Sequence, residues 1–385
     1  MQKILFLKKM ALFFAACLAF GGTKAADSLY VRHLTDTLAS EAFWGRGYVK
    51  NGMKNAANFI ASEMQSIGLA VQKQSFRYPV NTFPSAVMLA LNGKMLRPGI
   101  DFLVTPASKS IHAEGSLAQI DSATWGNISE NITIKLVPKL TWSVATKQQL
   151  FTTFQVLPAA INAPLTQYKA RVTAKLQQSF GCQNIMGILR GTSMPDSLVV
   201  FTAHYDHLGG MGTAAWFAGA NDNAGGVAMM LALAKQFTAH PPPYSVAFIA
   251  FAGEEAGLLG SAYFVAHPLI DLKKIRFLVN LDLVGNGDEG ITVVNATEYP
   301  HEFELLQQLN QQNQALPAVN SRGKAANSDH YWFTENGVPS FFIYTMGKRK
   351  AYHDVEDVAD TLPWWKVNEL EMLLLDFSKK LMQGY

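Results

Sequence analysis

Six side chains carry the chemistry this sequence makes available. His204, Asp222, Glu255, Asp282 and His353 each stand at or near the end of an apolar run, and Glu254 directly precedes one of them. Two imidazoles and three carboxylates form the donor set that holds a pair of zinc ions in a hydrolase. A further carboxylate beside them is what such a site needs to take a proton from water. The residue types predict a metal-dependent hydrolase.

Each residue taken alone has an ordinary structural use. Asp222 could cap the helix expected from Gly225. Glu254-Glu255 could form a solvated turn. Yet both follow an apolar strand directly, and Asp282 lies between Leu281 and Leu283, where a carboxylate is costly to desolvate without a cation. Asp206, two residues after His204, is expected to orient that imidazole through its carboxylate. His33, His112, His207, His240, His267 and His301 are expected to take no part.

The elements that must position these groups follow from periodicity. Residues 27–75 read as helical, with apolar positions at helical spacing up to Gly68. Residues 76–180 are rich in Val, Ile, Thr, Ser and Pro and read as β-rich. From Asn184 the pattern alternates. Strands are predicted at 197–203, 245–252, 276–281, 291–295 and 340–344, and helices at 225–237, 301–313, near 329–335 and at 366–382. Apolar strands joined by helical crossovers predict an α/β fold with a mostly parallel, doubly covered sheet. Ligands in such sheets gather outside the carboxyl ends of the strands, where five of these side chains fall.

The motifs resemble those of the secreted co-catalytic di-zinc aminopeptidases, typified by bacterial leucine aminopeptidases and glutamate-carboxypeptidase-like ectodomains. The similar stretches are Ala203-His204-Tyr205-Asp206-His207-Leu208-Gly209, Gly219-Ala220-Asn221-Asp222-Asn223-Ala224-Gly225-Gly226, Gly253-Glu254-Glu255-Ala256-Gly257, Asn280-Leu281-Asp282, Ser328-Asp329-His330 and Tyr352-His353. Leu38-Ala39-Ser40 with Gly45-Arg46-Gly47 is similar to the family's N-terminal part. The resemblance covers roughly residues 35–75 and 183–380. It implies a zinc exopeptidase-like fold and two Zn2+, or other divalent ions. One would be held by His204, Asp222 and Asp282, the other by Asp222, Glu255 and His353. Glu254 would be the general base, and the Asp222–Asn223 peptide would be cis. Peptides would be the substrates.

Two features depart from that family. Some members place a tyrosine three residues before Ser-Asp-His, where this chain has Ala325. Tyr344 is a distant substitute, and Asp329 is a candidate on the substrate side; Ser328-Asp329-His330 reads equally as a serine-capped helix start. Residues 76–180 occupy the place of a protease-associated domain without matching one. The segments Met211–Ala218 and Phe341–Met346 are candidates for the wall of a first-residue pocket. The rival activity is that of a glutaminyl cyclase, which shares the fold and uses one zinc. A carboxypeptidase lacks an obvious arginine pair here, and a non-catalytic receptor-like module would be expected to lack ligands or the base.

Composition bounds the rest. With 385 residues, 49% hydrophobic and 16% charged, the chain can bury a sizeable core. Its first residues form a basic stretch, then an apolar run from Met10 to Phe20 and small residues up to Ala25. This pattern predicts a signal peptide over 1–25 and an exported, periplasmic or secreted protein, with lipoprotein anchoring through Cys17 as the alternative. Removing residues 1–25 removes four lysines and no acid, which takes the formal charge from +3 to −1. Nothing then favours nucleic acid, and no stable membrane insertion is expected. The mature domains are expected to be a peptidase domain over 26–75 and 181–385 and a β-rich insert over 76–180. No oligomeric state can be read from the chain.

Overall fold

The computed structural model describes residues 28–162 and 164–384. The expected leader, with Cys17, lies outside the described residues. Helix α1, Ser28–Leu38, buries Val31, Leu34, Thr35 and Leu38, a single stripe at helical spacing. Helix α2, Gly52–Ile67, buries Met53, Ala56, Ala57, Ile60, Ala61 and Met64 in the same way. It ends at Gly68, whose φ of 98° only glycine adopts readily. The helical expectation through residue 75 fails beyond that point. Residues Ala70–Thr82 form strand β1, with Gln74, Phe76, Tyr78 and Val80 turned inward. The period changes from 3.6 to 2 directly after the glycine stop.

The remaining strands of the main sheet are β2 Lys175–Leu189, β3 Met194–His204, β4 Tyr244–Phe251, β5 Ile275–Leu281, β6 Gly290–Val294, β7 Val319–Ser321 and β8 Ser340–Met346. Their order is β1-β2-β4-β3-β5-β8-β6-β7. The four central strands β4, β3, β5 and β8 run parallel. Antiparallel pairings join β1 to β2, β2 to β4 and β8 to β6. The sheet is therefore parallel at its centre and mixed at its flanks.

Both faces are covered, which is why the central strands read as unbroken apolar runs. Val199, Phe201 and Ala203 of β3 face a core shared with α1, α2, α3 (Gly225–Ala239), α5 (Pro300–Asn313) and α7 (Val367–Gln383). Leu198 and Val200 face the opposite core, with Phe264 of α4 (Leu259–Ala266) and Phe333 of α6 (His330–Glu335).

The β1/β2 ribbon carries the insert. Residues 76–82 and 175–180 belong to these two strands of the main sheet, so the segment outside the sheet is shorter than 76–180. It contains a four-stranded and a five-stranded sheet. Their shared core holds Leu89, Phe102, Ile134, Phe154 and Trp142, and it also takes up Leu208, Met211 and Phe217 from the loop after β3. Among the described residues, no helix is long and apolar enough to cross a membrane.

Candidate metal centre

The four parallel strands deliver the candidate ligands to one sheet edge. His204 ends β3, and Asp282 directly follows β5. Glu254 and Glu255 lie in the turn after β4, and His353 lies in the loop after β8. Asp222 comes from the short turn Ala220–Ala224 that leads into α3. Its peptide bond to Asn223 is cis, as the resemblance implies.

The side chains converge as two groups that share Asp222. His204 Nε2 lies 3.3 Å from Asp222 Oδ1 and 3.3 Å from Asp282 Oδ1. His353 Nε2 lies 3.1 Å from Asp222 Oδ2 and 3.3 Å from Glu255 Oε2. The two oxygens of Asp222 thus face different groups. Two atoms bound about 2.0–2.2 Å from one tetrahedral zinc lie about 3.3–3.5 Å apart, so these separations fit a zinc ion in each group. The chemistry of the burial fits as well. His204, Asp222 and Asp282 are only 1%, 4% and 6% exposed, and Asp282 Oδ1 is buried without a hydrogen-bond partner. Such a concentration of buried carboxylates needs cations.

The surrounding structure fixes each ligand. Arg46 is fully buried and donates to five backbone carbonyls, those of Leu38, Tyr205, Ala218, Gly219 and Asp222. Burial pulls its pKa down to about 10, against the raising effect of the nearby Asp222 and Asp357 carboxylates, and leaves it charged at neutral pH. The turn that presents Arg46 requires Gly45, where a Cβ would lie 2.1 Å from the Phe217 carbonyl oxygen. Asp357 accepts from the amides of Asn221 and Asp222 at 2.9 and 3.0 Å. Asn223 donates to the Leu281 carbonyl at 2.9 Å, which ties the Asp222 turn to the end of β5.

Several expectations need correction. His204 Nδ1 contacts the backbone carbonyl of Asp206 at 3.1 Å, whereas the Asp206 carboxylate is 3.9 Å away. That carboxylate instead accepts from the amides of Glu254 at 3.1 Å and Glu255 at 3.3 Å, so it holds the two glutamates. Burial raises its pKa to about 6. Ser328 does not cap α6. Its hydroxyl donates to Asp282 Oδ2 at 3.1 Å and accepts from Asn280 Nδ2 at 2.8 Å. Asp329 is fully buried behind the site, where it accepts from the Ser261 hydroxyl, and does not line the cavity.

The cavity over the ligands, about 270 Å³, is walled by Leu283, Phe342, Tyr344, Tyr352, Asn327 and Arg322. Tyr344 is therefore at the site, and its hydroxyl accepts from Arg322 at 3.3 Å. Of the two segments expected to form the wall, Phe341–Met346 contributes Phe342 and Tyr344. Met211–Ala218 instead packs under the insert, with Phe217 stacked on Trp142. Arg322, Asn327 and Tyr352 were not foreseen. His207, expected to take no part, belongs to the site: its Nδ1 lies 2.7 Å from Glu255 Oε1.

Comparison with known proteins settles the lineage. The model of peptidase family M28 matches residues 184–378, just over half of the chain. The chain belongs to peptidase family M28. Aminopeptidase YwaD of Bacillus subtilis (strain 168) is 32% identical over 204 residues, which is 50% of this chain and 43% of that relative. The match thus spans less than half the length of this curated relative. The zinc aminopeptidase BSAP from Bacillus subtilis superimposes with a TM-score of 0.71 at 20% identity, covering 92% of this chain and 95% of its own. A glutaminyl cyclase from an Acidobacteriales bacterium superimposes with a TM-score of 0.59 at 17% identity, covering 95% and 98%. At these identities the two structures attest the M28 fold alone.

Proposed function

We propose that this M28 protein is an aminopeptidase that releases single residues from free peptide N-termini with two divalent ions, zinc in the first place. One observation carries the reading. Two donor groups, one buried and one partly buried, share Asp222, with the additional carboxylate of Glu254 on the same cavity. His204, Asp222 and Asp282 would hold one ion; Asp222, Glu255 and His353 would hold the other. Bound zinc would polarise the scissile carbonyl and lower the pKa of water.

The protein side of the reaction rests on Glu254. Burial raises its pKa well above the usual carboxylate range, and the adjacent Glu255 adds to the effect. A carboxylate so placed takes a proton from the attacking water and returns it to the leaving amine. The acidic rim of Glu254, Glu255 and Asp282 attracts a substrate ammonium group and disfavours a carboxylate. Leu283, Phe342, Tyr344 and Tyr352 offer an uncharged wall to the first side chain, so apolar residues are the preferred substrates. Export fits the pattern of residues 1–25 and is part of the same proposal.

The rival reading is a glutaminyl cyclase, favoured by the shared fold and opposed by the second donor group. Three substrates separate them: leucyl-nitroanilide, its N-acetyl form, and a peptide beginning with glutamine. The proposal expects cleavage of the first and none of the second. Cyclisation of the third without release of any residue would establish the cyclase.

A further inference from the structure

His353 is held by a part of the chain that lies outside the residues matching the M28 model. Its Nδ1 lies 3.0 Å from the carbonyl oxygen of Trp142, and the Trp142 amide donates to the His353 carbonyl at 2.9 Å. A carbonyl can only accept, so Nδ1 carries a proton and Nε2 is the nitrogen turned towards Asp222 and Glu255. Tyr352 stacks on the imidazole, with ring centroids 4.0 Å apart and planes 14° apart. Trp142 belongs to the insert and is itself anchored there. Its Nε1 donates to the Val104 carbonyl at 2.7 Å, and its ring stacks on Phe217 at 4.8 Å. It is 5% exposed.

The other donor group has no such dependence. His204 is oriented by Asp206 and Asp282 by Ser328, both within the main fold. We infer that Trp142 is a positioning residue for His353, and that the insert thereby completes one metal subsite and leaves the other independent of it. The insert is then part of the metal centre. This inference rests on the ligand set proposed above.

The test is zinc titration of the full chain, stripped of metal, by calorimetry, with thermal melts of each metal-free variant. His353→Ala serves as the benchmark and should bind one ion. Trp142→Ala keeps the backbone carbonyl but removes the ring that anchors it. It should bind one ion with affinity within about threefold of the wild type and the second about 10–100-fold more weakly, the range seen when a ligand's orienting contact is disturbed. Trp142→Phe keeps a stacking ring and loses the Nε1 bond, and should weaken the second step several-fold. It decides the matter if Trp142→Ala does not fold. Wild-type affinities at both steps in the Trp142 variants, with one ion lost in His353→Ala, would overturn the inference. So would equal weakening of both steps. If His353→Ala still binds two ions at wild-type affinity, the proposed ligand set is what fails.

Discussion

His207 donates from Nδ1 to Glu255 Oε1 at 2.7 Å, while Glu255 Oε2 faces His353 Nε2 at 3.3 Å. The carboxylate is thereby fixed with one oxygen satisfied by protein and the other free for an ion. Replacing His207 by alanine leaves Glu255 free to rotate in a buried site. Its second-ion affinity should fall about 10–100-fold, read by zinc titration. An unchanged affinity would mean that Glu255 is positioned without His207.

His204, Glu254, Glu255 and Asp282 were legible because they stand at the ends of apolar strands, where a charge needs a partner. His207 was not, since nothing in its neighbours says which way its ring turns. That is settled by Glu255, 48 positions away in sequence. For Asp206 the two-residue spacing cannot decide between its carboxylate and its own backbone carbonyl as the partner of His204, and the structure has the carbonyl. Apolar composition is the same in a wall and in a core, so Met211–Ala218 was a candidate for either. The insert's sheets needed Met211 and Phe217 more. The helical expectation ran past Gly68 because β1 has an exposed, polar outer row that carries little signal.

Zinc uptake should release protons at neutral pH. Burial opposes charge on both ligand histidines, yet neighbouring carboxylates outweigh it. The His204 value stands well above its ordinary one, chiefly through Asp282, and Asp222 and Glu255 raise His353 to about 11. Both must shed a proton to bind a metal, so affinity should fall as pH falls. In the metal-free protein the His353 ion pairs add stability that is fully present below about pH 6.5 and lost as pH rises towards about 11. Calorimetry in buffers of different ionisation enthalpy should show about two protons released per pair of ions. No release would contradict the protonation state argued here.

Glu254 and Glu255 are adjacent and should fail differently. Glu254→Ala should retain both ions and lose about 10²–10⁴ in turnover. Glu255→Ala should lose an ion. Identical metal contents in the two variants would refute the division of roles.

Arg46 joins the end of α1 to the backbones of Tyr205, the residue after His204, and Asp222. Lysine cannot span five acceptors with one ammonium. Arg46→Lys should cost on the order of 2–4 kcal/mol by leaving buried carbonyls unpaired, measured by denaturant unfolding of the metal-free protein. A loss under about 1 kcal/mol would place the burden of the Asp222 turn on Asp357 instead.

The shared position of Asp222 between two donor groups is the centre of this account, and metal content tests it most directly. Purified protein saturated with zinc and freed of excess should hold two ions per chain. Chelation should abolish cleavage of leucyl-nitroanilide, and zinc should restore it. A single ion per chain with full aminopeptidase activity, or activity indifferent to chelation, would contradict it.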